Sequence, residues 1–124
     1  MKPNSYHISV VSLKDQTIIA DKCHVAECFF ERFKGLIGRT GLEPGQAMMF
    51  PRCNSIHMWF MSLTIDVVFL RAQGTAWRIS SLHENVRPWK PLPLTDWRAN
   101  ATIELPAGTI RQAGLAPGDE LCIS

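Results

Sequence analysis

Apolar residues in this chain fall mostly in short runs bounded by Gly, Pro, Asn or Asp, the pattern of strands and turns, and only two stretches suggest helix. Tyr6–Ser12 and Gln16–Ala20 are rich in β-branched residues and flank Leu13-Lys14-Asp15, which predicts an opening hairpin, with Lys22–Val25 continuing the sheet. Phe29, Phe30, Phe33, Leu36 and Ile37 then recur at three- and four-residue steps, so a short helix is expected from about Cys28 to Ile37. Glu27 and Glu31 near its start and Arg39 beyond its end suit the helix dipole, and Gly38 and Gly41 offer stops. After the Pro44-Gly45 turn, Ala47–Phe50 reads as a strand stopped by Pro51. Ser55–Met61 reads as another, with Ile56, Met58 and Phe60 on one face and His57, Trp59 and Met61 on the other. Val67–Leu70 is apolar without alternation, the mark of a strand buried on both faces, and it ends at the Gln73-Gly74 turn.

Thr75–Leu82 and Glu84–Pro88 read as further extended pieces. Pro88, Pro91 and Pro93 then stiffen a loop that carries Trp89 and ends near Trp97, the longest irregular stretch and a candidate lid or rim. Ala99–Leu105 alternates apolar and polar as a half-exposed strand does. Pro106 is placed to open a second helix through Ala113, with Gly114 as its stop and Pro117-Gly118-Asp119 turning into a last strand, Glu120–Ile123. The predicted fold class is therefore α+β: a compact β-rich single domain over residues 1–124, with a curled or barrel-like, mostly antiparallel sheet and two short helices. Strand order does not follow from the pattern.

Composition narrows the function classes. At 124 residues the chain fits one domain, and 46% hydrophobic with 19% charged residues is ordinary for a soluble globular protein. Its 13 basic and 11 acidic residues are interspersed with no block of like charge, so nucleic acid is not an expected partner. The apolar run Ile8–Val11 is too short for a signal-peptide core, and no stretch approaches the ~20 apolar residues of a membrane span, so a cytoplasmic setting is expected. Cys23, Cys28, Cys53 and Cys122 are too few and scattered for a disulfide scaffold and are read as reduced thiols, Cys122 within a strand.

The candidate chemistry centres on Cys53–Leu70, where His57 and Asp66 stand inside an apolar segment. Burying an ionised carboxylate costs several kcal/mol unless a cation or several donors meet it, so Asp66 is expected to have a partner. Arg32 and Arg39, seven residues apart and so about two helical turns, are candidates for that role or for binding an anion. His57 with Asp66 has the composition of an acid/base pair, and Cys53 four residues earlier invites a thiolate reading; in an extended strand, however, four residues span ~13 Å. Cys23, His24, Cys28, Cys53 and His57 offer metal-ligating atoms but lack the paired Cys-x2-Cys spacing of structural zinc, so no metal or other cofactor is expected. Trp77, Trp89 and Trp97, interspersed with Arg78, Arg87, Lys90 and Arg98, are candidates for a stacking surface; for Trp77, packing is the favoured role.

Three motifs give the chain a resemblance: Arg32-Phe33-Lys34-Gly35-Leu36-Ile37-Gly38-Arg39; Cys53-Asn54-Ser55-Ile56-His57 through Ile65-Asp66-Val67-Val68-Phe69-Leu70; and Glu104-Leu105-Pro106-Ala107-Gly108 followed by Gly114-Leu115 and Pro117-Gly118-Asp119. In these the chain resembles the uncharacterised family called domain of unknown function 192, from roughly Cys23 to Ile123. The resemblance implies a single compact domain and no established activity. Met58-Trp59, Ser62-Leu63-Thr64 and Arg71 depart from the common pattern beside His57, so ligand preference is expected to differ from relatives. Over about twenty residues the last motif also resembles the strand-helix-turn-strand element of AbrB-like transition-state regulators, which would imply a dimeric DNA binder; the near-neutral charge opposes that reading. The expected function is a non-enzymatic module binding a small ligand or protein through Arg32, Arg39, Cys53, His57, Asp66 and Trp89, with a His57/Asp66 enzyme as the alternative.

Overall fold

The computed structural model, which describes residues 7–25, 42–56, 64–87 and 93–124, opens on the expected hairpin. Strand β1 (His7–Ser12) pairs antiparallel with β2 (Ile18–Val25). The turn is fixed by the Ser12 N–H donating to the Thr17 carbonyl at 2.8 Å and by Asp15 Oδ1 accepting the Thr17 N–H at 3.0 Å. Gln16 adopts φ 61, outside the extended region, which is why β2 starts at Ile18 and not at Gln16. The helix expected over 28–37 lies outside the described residues.

Strand β3 (Gln46–Pro51) runs parallel to β2 with Lys22 opposite Gln46. Of the strand expected over 55–61, Ser55–Ile56 is seen as β4, and 57–61 fall outside the described residues. The longest hairpin is β5 (Ile65–Gln73) with β6 (Ala76–Val86), turning where Gly74 takes φ 61. The two extended pieces expected over 75–88 are thus one strand as far as Val86, interrupted only by register shifts. Strand β7 (Leu94–Thr95) pairs with β4 in a separate ribbon, inside the segment read as an irregular loop. Strand β8 (Ala101–Pro106), helix α1 (Thr109–Ala113) and strand β9 (Glu120–Ile123) complete the order.

Seven of these strands close into a barrel in the order β1-β2-β3-β8-β5-β6-β9, with β9 returning to β1. The pairs are antiparallel except for β2–β3. The barrel-like sheet agrees with the sequence reading, whereas one helix, not two, is seen among the described residues. That helix also starts later than expected. Pro106 is still the last residue of β8, opposite Ile65, and the chain turns at Gly108 (φ 94, ψ −10) before α1 begins. Its end falls where expected, at Gly114 (φ 65), with the Leu115 N–H returning to the Ile110 carbonyl at 3.1 Å.

Side-chain alternation divides the core in two. Val68, Leu70, Ile103 and Leu105 point into the barrel with Val10, Ile79 and Leu121, and Ile110 of α1 packs into this cluster. Met48, Phe50, Ile65, Val67 and Phe69 point outward and are covered by Ile56, Ala99 and Leu94. Strand β5 is therefore buried on both faces, as its unbroken apolar run implied. Strand β8 departs from its expectation: Ala101–Leu105 is buried throughout, because Thr102 and Glu104 lie on the outer face beneath this second cluster. Trp77 packs against the inner cluster, while Trp97 is 86% exposed.

If the outer cluster is a true core layer, Phe69→Ala will lower unfolding free energy by about 3–5 kcal/mol, the range for removing a buried aromatic side chain. Urea denaturation followed by tryptophan fluorescence measures this, and a loss below about 1 kcal/mol, the surface-substitution range, would show the outer face to be open.

Candidate functional site

Asp66 is the best-defined of the candidate residues. It is fully buried, and it sits on the inward-facing side of β5, near the barrel end that α1 covers. Opposite it, β6 bulges: Ile65 pairs with Val86 and Val67 with His83, so Glu84 and Asn85 together face the single residue Asp66. Asn85 takes φ 52, which turns its N–H onto Asp66 Oδ1 at 2.9 Å. Oδ2 accepts two more, from Gly108 at 3.1 Å and Ile110 at 2.9 Å. The last two belong to the start of α1, whose own cap residue, Gly108, has no side chain to satisfy them. Asp66 is therefore a helix cap supplied from a distant strand. The donors seen on it are backbone amides; Arg32 and Arg39, the partners expected from sequence, lie outside the described residues.

Cys53 lies elsewhere. It packs against the outer cluster, its Sγ donates to the Ser55 carbonyl at 3.2 Å, and its own carbonyl accepts from Thr102 Oγ1 at 2.7 Å. Thr102 faces Phe69, three positions along β5 from Asp66, so Cys53 and Asp66 stand on opposite faces of the sheet about 10 Å apart along the strand. The structure does not bring them into one site. His57 and Trp89 lie outside the described residues. Burial pushes the Cys23 thiol up to about 12, so it is inert near neutral pH. Among the described residues no three His, Cys, Asp or Glu side chains are placed to hold a metal ion.

A second buried acid escaped the sequence reading. Asp96 is 7% exposed, and its Oδ2 accepts from Ser80 Oγ at 2.6 Å and Ser81 Oγ at 2.7 Å, while Oδ1 accepts the Arg98 N–H at 3.0 Å. Adjacent strand residues normally face opposite ways. Here Phe69 pairs with Ser81 and Leu70 with Ile79, so Ser80 is an extra residue, and the bulge lets both hydroxyls reach one oxygen. Burial pushes the Asp96 carboxyl up, but the two serine hydroxyls, the Arg98 N–H and the Arg98 guanidinium outweigh it and hold the group below its ordinary 3.8. His83 Nε2 lies 3.5 Å from Ser81 Oγ and its ring meets Phe69 edge-on, so Ser, His and Asp are neighbours. Yet the carboxylate here bonds the serine and not the imidazole, the reverse of the order that activates a nucleophile. The available sequence signal was Asp96-Trp97-Arg98, an Asx turn; Glu104, also fully buried, carried no signal because its strand alternates.

A concavity lies beside α1. A groove of about 390 Å³ runs between residues 17–21 and 44–45 on one side and residues 106–107 with Thr109, Gln112 and Ala113 on the other. Ile18, 65% exposed, stands on its wall. The hairpin turn near it is pinned by Lys14, whose Nζ donates to Asp119 Oδ2 at 2.7 Å and to the Gly114 carbonyl at 2.6 Å. That bond with Lys14, the largest influence, holds the Asp119 carboxyl below its usual range.

Comparison with known proteins places this geometry in a family. The profile of DUF192, described as uncharacterized ACR, matches residues 9–123. A UPF0127 protein of Thermococcus sibiricus is 33% identical over 101 residues, which are 78% of this chain and 62% of that protein, so the chain spans less than two thirds of this relative. Two solved structures share the fold. One, from Sinorhizobium meliloti and provisionally labelled a transcription regulator, has a TM-score of 0.77 at 24% identity, covering 94% of this chain and 91% of its own. The other, a protein of unknown function from Novosphingobium aromaticivorans, has a TM-score of 0.75 at 23% identity, covering 92% of this chain and 81% of its own.

Two outcomes are expected. Asp66→Asn leaves one N–H facing an amide donor and will cost about 2 kcal/mol, while Asp66→Ala orphans three and will cost more. Equilibrium unfolding of both variants measures the order, and equal stability of wild type and Asp66→Ala would refute the cap. Because the folded Asp96 carboxyl binds its proton less readily than the unfolded one, its contribution is fully present above pH ~4 and is lost as pH falls through the folded value. An Asp96→Asn variant will therefore show a shallower loss of stability than wild type as pH falls below about 4 in paired acid titrations.

Proposed function

We propose, from the premise that the chain belongs to the DUF192 family, that this domain is a non-enzymatic binding module whose ligand lies in the groove between β2 and α1. The observation that carries this reading is the groove itself, whose 390 Å³ falls within the ~300–1,000 Å³ usual for ligand sites. Its walls are set by rigid parts: the start of α1 is fixed by the buried Asp66 carboxylate and its end by the Lys14 bond to Gly114.

The enzyme alternative asks Asp66 to orient His57. A carboxylate offers about four acceptor positions, and backbone amides take three of them. That leaves little of the group for an imidazole and favours the structural role. The candidacy of Arg32, Arg39, His57 and Trp89 rests on the sequence pattern, and Cys53 packs on the far side of the sheet from Asp66. Among the described residues no helix is long and apolar enough to cross a membrane. Cys23, Cys53 and Cys122 are free thiols, which supports a reducing, cytoplasmic setting.

The test is a screen of small fragments and short peptides against the isotope-labelled domain, read by amide chemical shifts. Binders are expected to move the signals of Ile18, Ala20, Gln112 and Ala113 together. Binders converging on the Ser81–His83–Asp96 cluster instead, or turnover of a screened compound, would contradict the proposal.

A further inference from the structure

The groove opens because β2 reaches back to Ile18 while β3 begins only at Gln46, opposite Lys22. Residues 17–21 form one wall, and Pro106, Ala107, Thr109, Gln112 and Ala113 form the other. What these walls can donate is limited. Pro44 and Pro106 have no N–H. The Asp21 N–H goes to the Gly45 carbonyl at 3.1 Å and the Thr17 N–H to Asp15 Oδ1 at 3.0 Å. The Thr109 hydroxyl donates its hydrogen to the Pro106 carbonyl at 2.7 Å, so toward the groove it offers lone pairs. The Thr17 hydroxyl does likewise beside Asp15, where its hydrogen bond is the largest influence holding that carboxyl below its ordinary 3.8. Among the described lining, the Gln112 amide is the side-chain donor left with hydrogens to give.

Positive charge is missing from the described lining as well. The amides at the start of α1 are natural partners for an anion, but those of Gly108 and Ile110 are taken by Asp66 Oδ2. No lysine, arginine or histidine belongs to the described lining. Close by, Lys14 is turned to Asp119 and the Gly114 carbonyl, and Arg111 Nε to Glu84 Oε1 at 3.8 Å. Lys22 follows Asp21 in the chain without joining the described lining. The charge that does face the groove is negative. Asp21 is exposed, and its Oδ1 lies 2.9 Å from where a Cβ on Gly45 would stand, so the carboxylate rests against the backbone of another lining residue. It makes no ion pair with another described residue, which leaves its roughly four acceptor positions open to a ligand.

We infer that the groove takes a small organic cation, an alkylammonium whose charged head meets Asp21 and whose compact apolar body lies on Ile18, Pro44 and Ala107. This deepens the reading of the groove as the binding site and rests on it. An ammonium carries three donors and no acceptor, the complement of walls that hold acceptors and few donors. A carboxylate or phosphate would meet the Asp21 charge with little beyond Gln112 to receive it. The volume of about 390 Å³ is that of a small-molecule site, and Ile18, 65% exposed, is the apolar surface such a body would cover. Apolar contact supplies the affinity, and the carboxylate selects the head group.

The probes share one ring and differ in head group: cyclohexylmethylamine, cyclohexylmethanol and cyclohexanecarboxylate. Each is titrated into the isotope-labelled full chain at neutral pH and low salt, and the amides of Ile18, Ala20, Asp21, Gln112 and Ala113 are followed. The amine is expected to bind about 3–5-fold more tightly than the alcohol, the scale of an exposed ion pair, and the carboxylate more weakly than either. Asp21→Asn, at an exposed position, should leave the melting temperature near wild type and bring amine and alcohol within about twofold. If that variant fails to fold, salt decides on the wild type: the advantage of the amine should shrink toward ~1 M salt while binding of the alcohol does not fall. Equal binding of amine and alcohol, a preference for the carboxylate, or an amine advantage that survives Asp21→Asn overturns the inference and leaves the groove as a binding site. Tighter binding of a blocked lysine than of the amine assigns the groove to a protein side chain and also overturns it. Groove amides that respond to none of these probes, nor to the fragment screen, overturn both this inference and the function it rests on.

Discussion

One carboxylate organises this barrel. Asp66 joins segments 19, 42 and 44 residues away by accepting the N–H groups of Asn85, Gly108 and Ile110. In a fully buried setting an unmet carboxylate would be unaffordable, so the fold must bring those donors to it. Doing so fixes the β6 bulge, the turn at Gly108 and the first turn of α1 together. Helix α1 is only five residues long, too short to be stable alone, and with glycine as its cap residue it depends on this outside acceptor. Once held, it drives Ile110 into the barrel end and presents Gln112 and Ala113 as the wall of the groove.

The sites of both buried aspartates arise from the same backbone device. Strand β6 is longer than the β5 stretch it covers, and the surplus is absorbed in two register shifts. One places Asn85 over Asp66; the other swings Ser80 to the side of Ser81 and lets both hydroxyls hold Asp96. Asp96 in turn orders the turn that carries the exposed Trp97 and links it to Asn54, whose carbonyl accepts the Asp96 N–H at 2.9 Å. Bulges often re-aim side chains next to functional sites, but here they supply donors to structural carboxylates. Carboxylates whose lone pairs are taken up by backbone amides, as at Asp66, or by two hydroxyls and an amide, as at Asp96, are poorly free to move protons.

Legibility in the sequence followed the locality of each cause. The opening hairpin, the doubly buried β5 and the Gly114 stop all rest on residues adjacent in the chain, and each was readable. The start of α1 was not, because Pro106 is a good first helical residue by local rules and only its pairing with Ile65 keeps it in β8. The alternation of Thr102 and Glu104 was read as exposure; it marks one face correctly, but what overlies that face is a matter of tertiary packing. The burial of Asp66 and its need for a partner were visible in its apolar surroundings. The donors were not, since nothing local announces that a glycine turn 42 residues later points its amide at this carboxylate. The groove escaped for a similar reason: it exists because β2 and β3 start at different heights, a relation no single segment carries.

The most direct test of this account is native-state hydrogen exchange at the amides of Asn85, Gly108 and Ile110. Gly108 lies in a turn and Ile110 in the first turn of a five-residue helix, where exchange is ordinarily fast. The Asp66 clamp predicts that all three protons exchange only through global unfolding, with opening free energies matching that of the β5 core. Exchange of Gly108 and Ile110 through low-energy local opening, while the β5 amides stay protected, would contradict the claim that this carboxylate holds the helix and, with it, the groove.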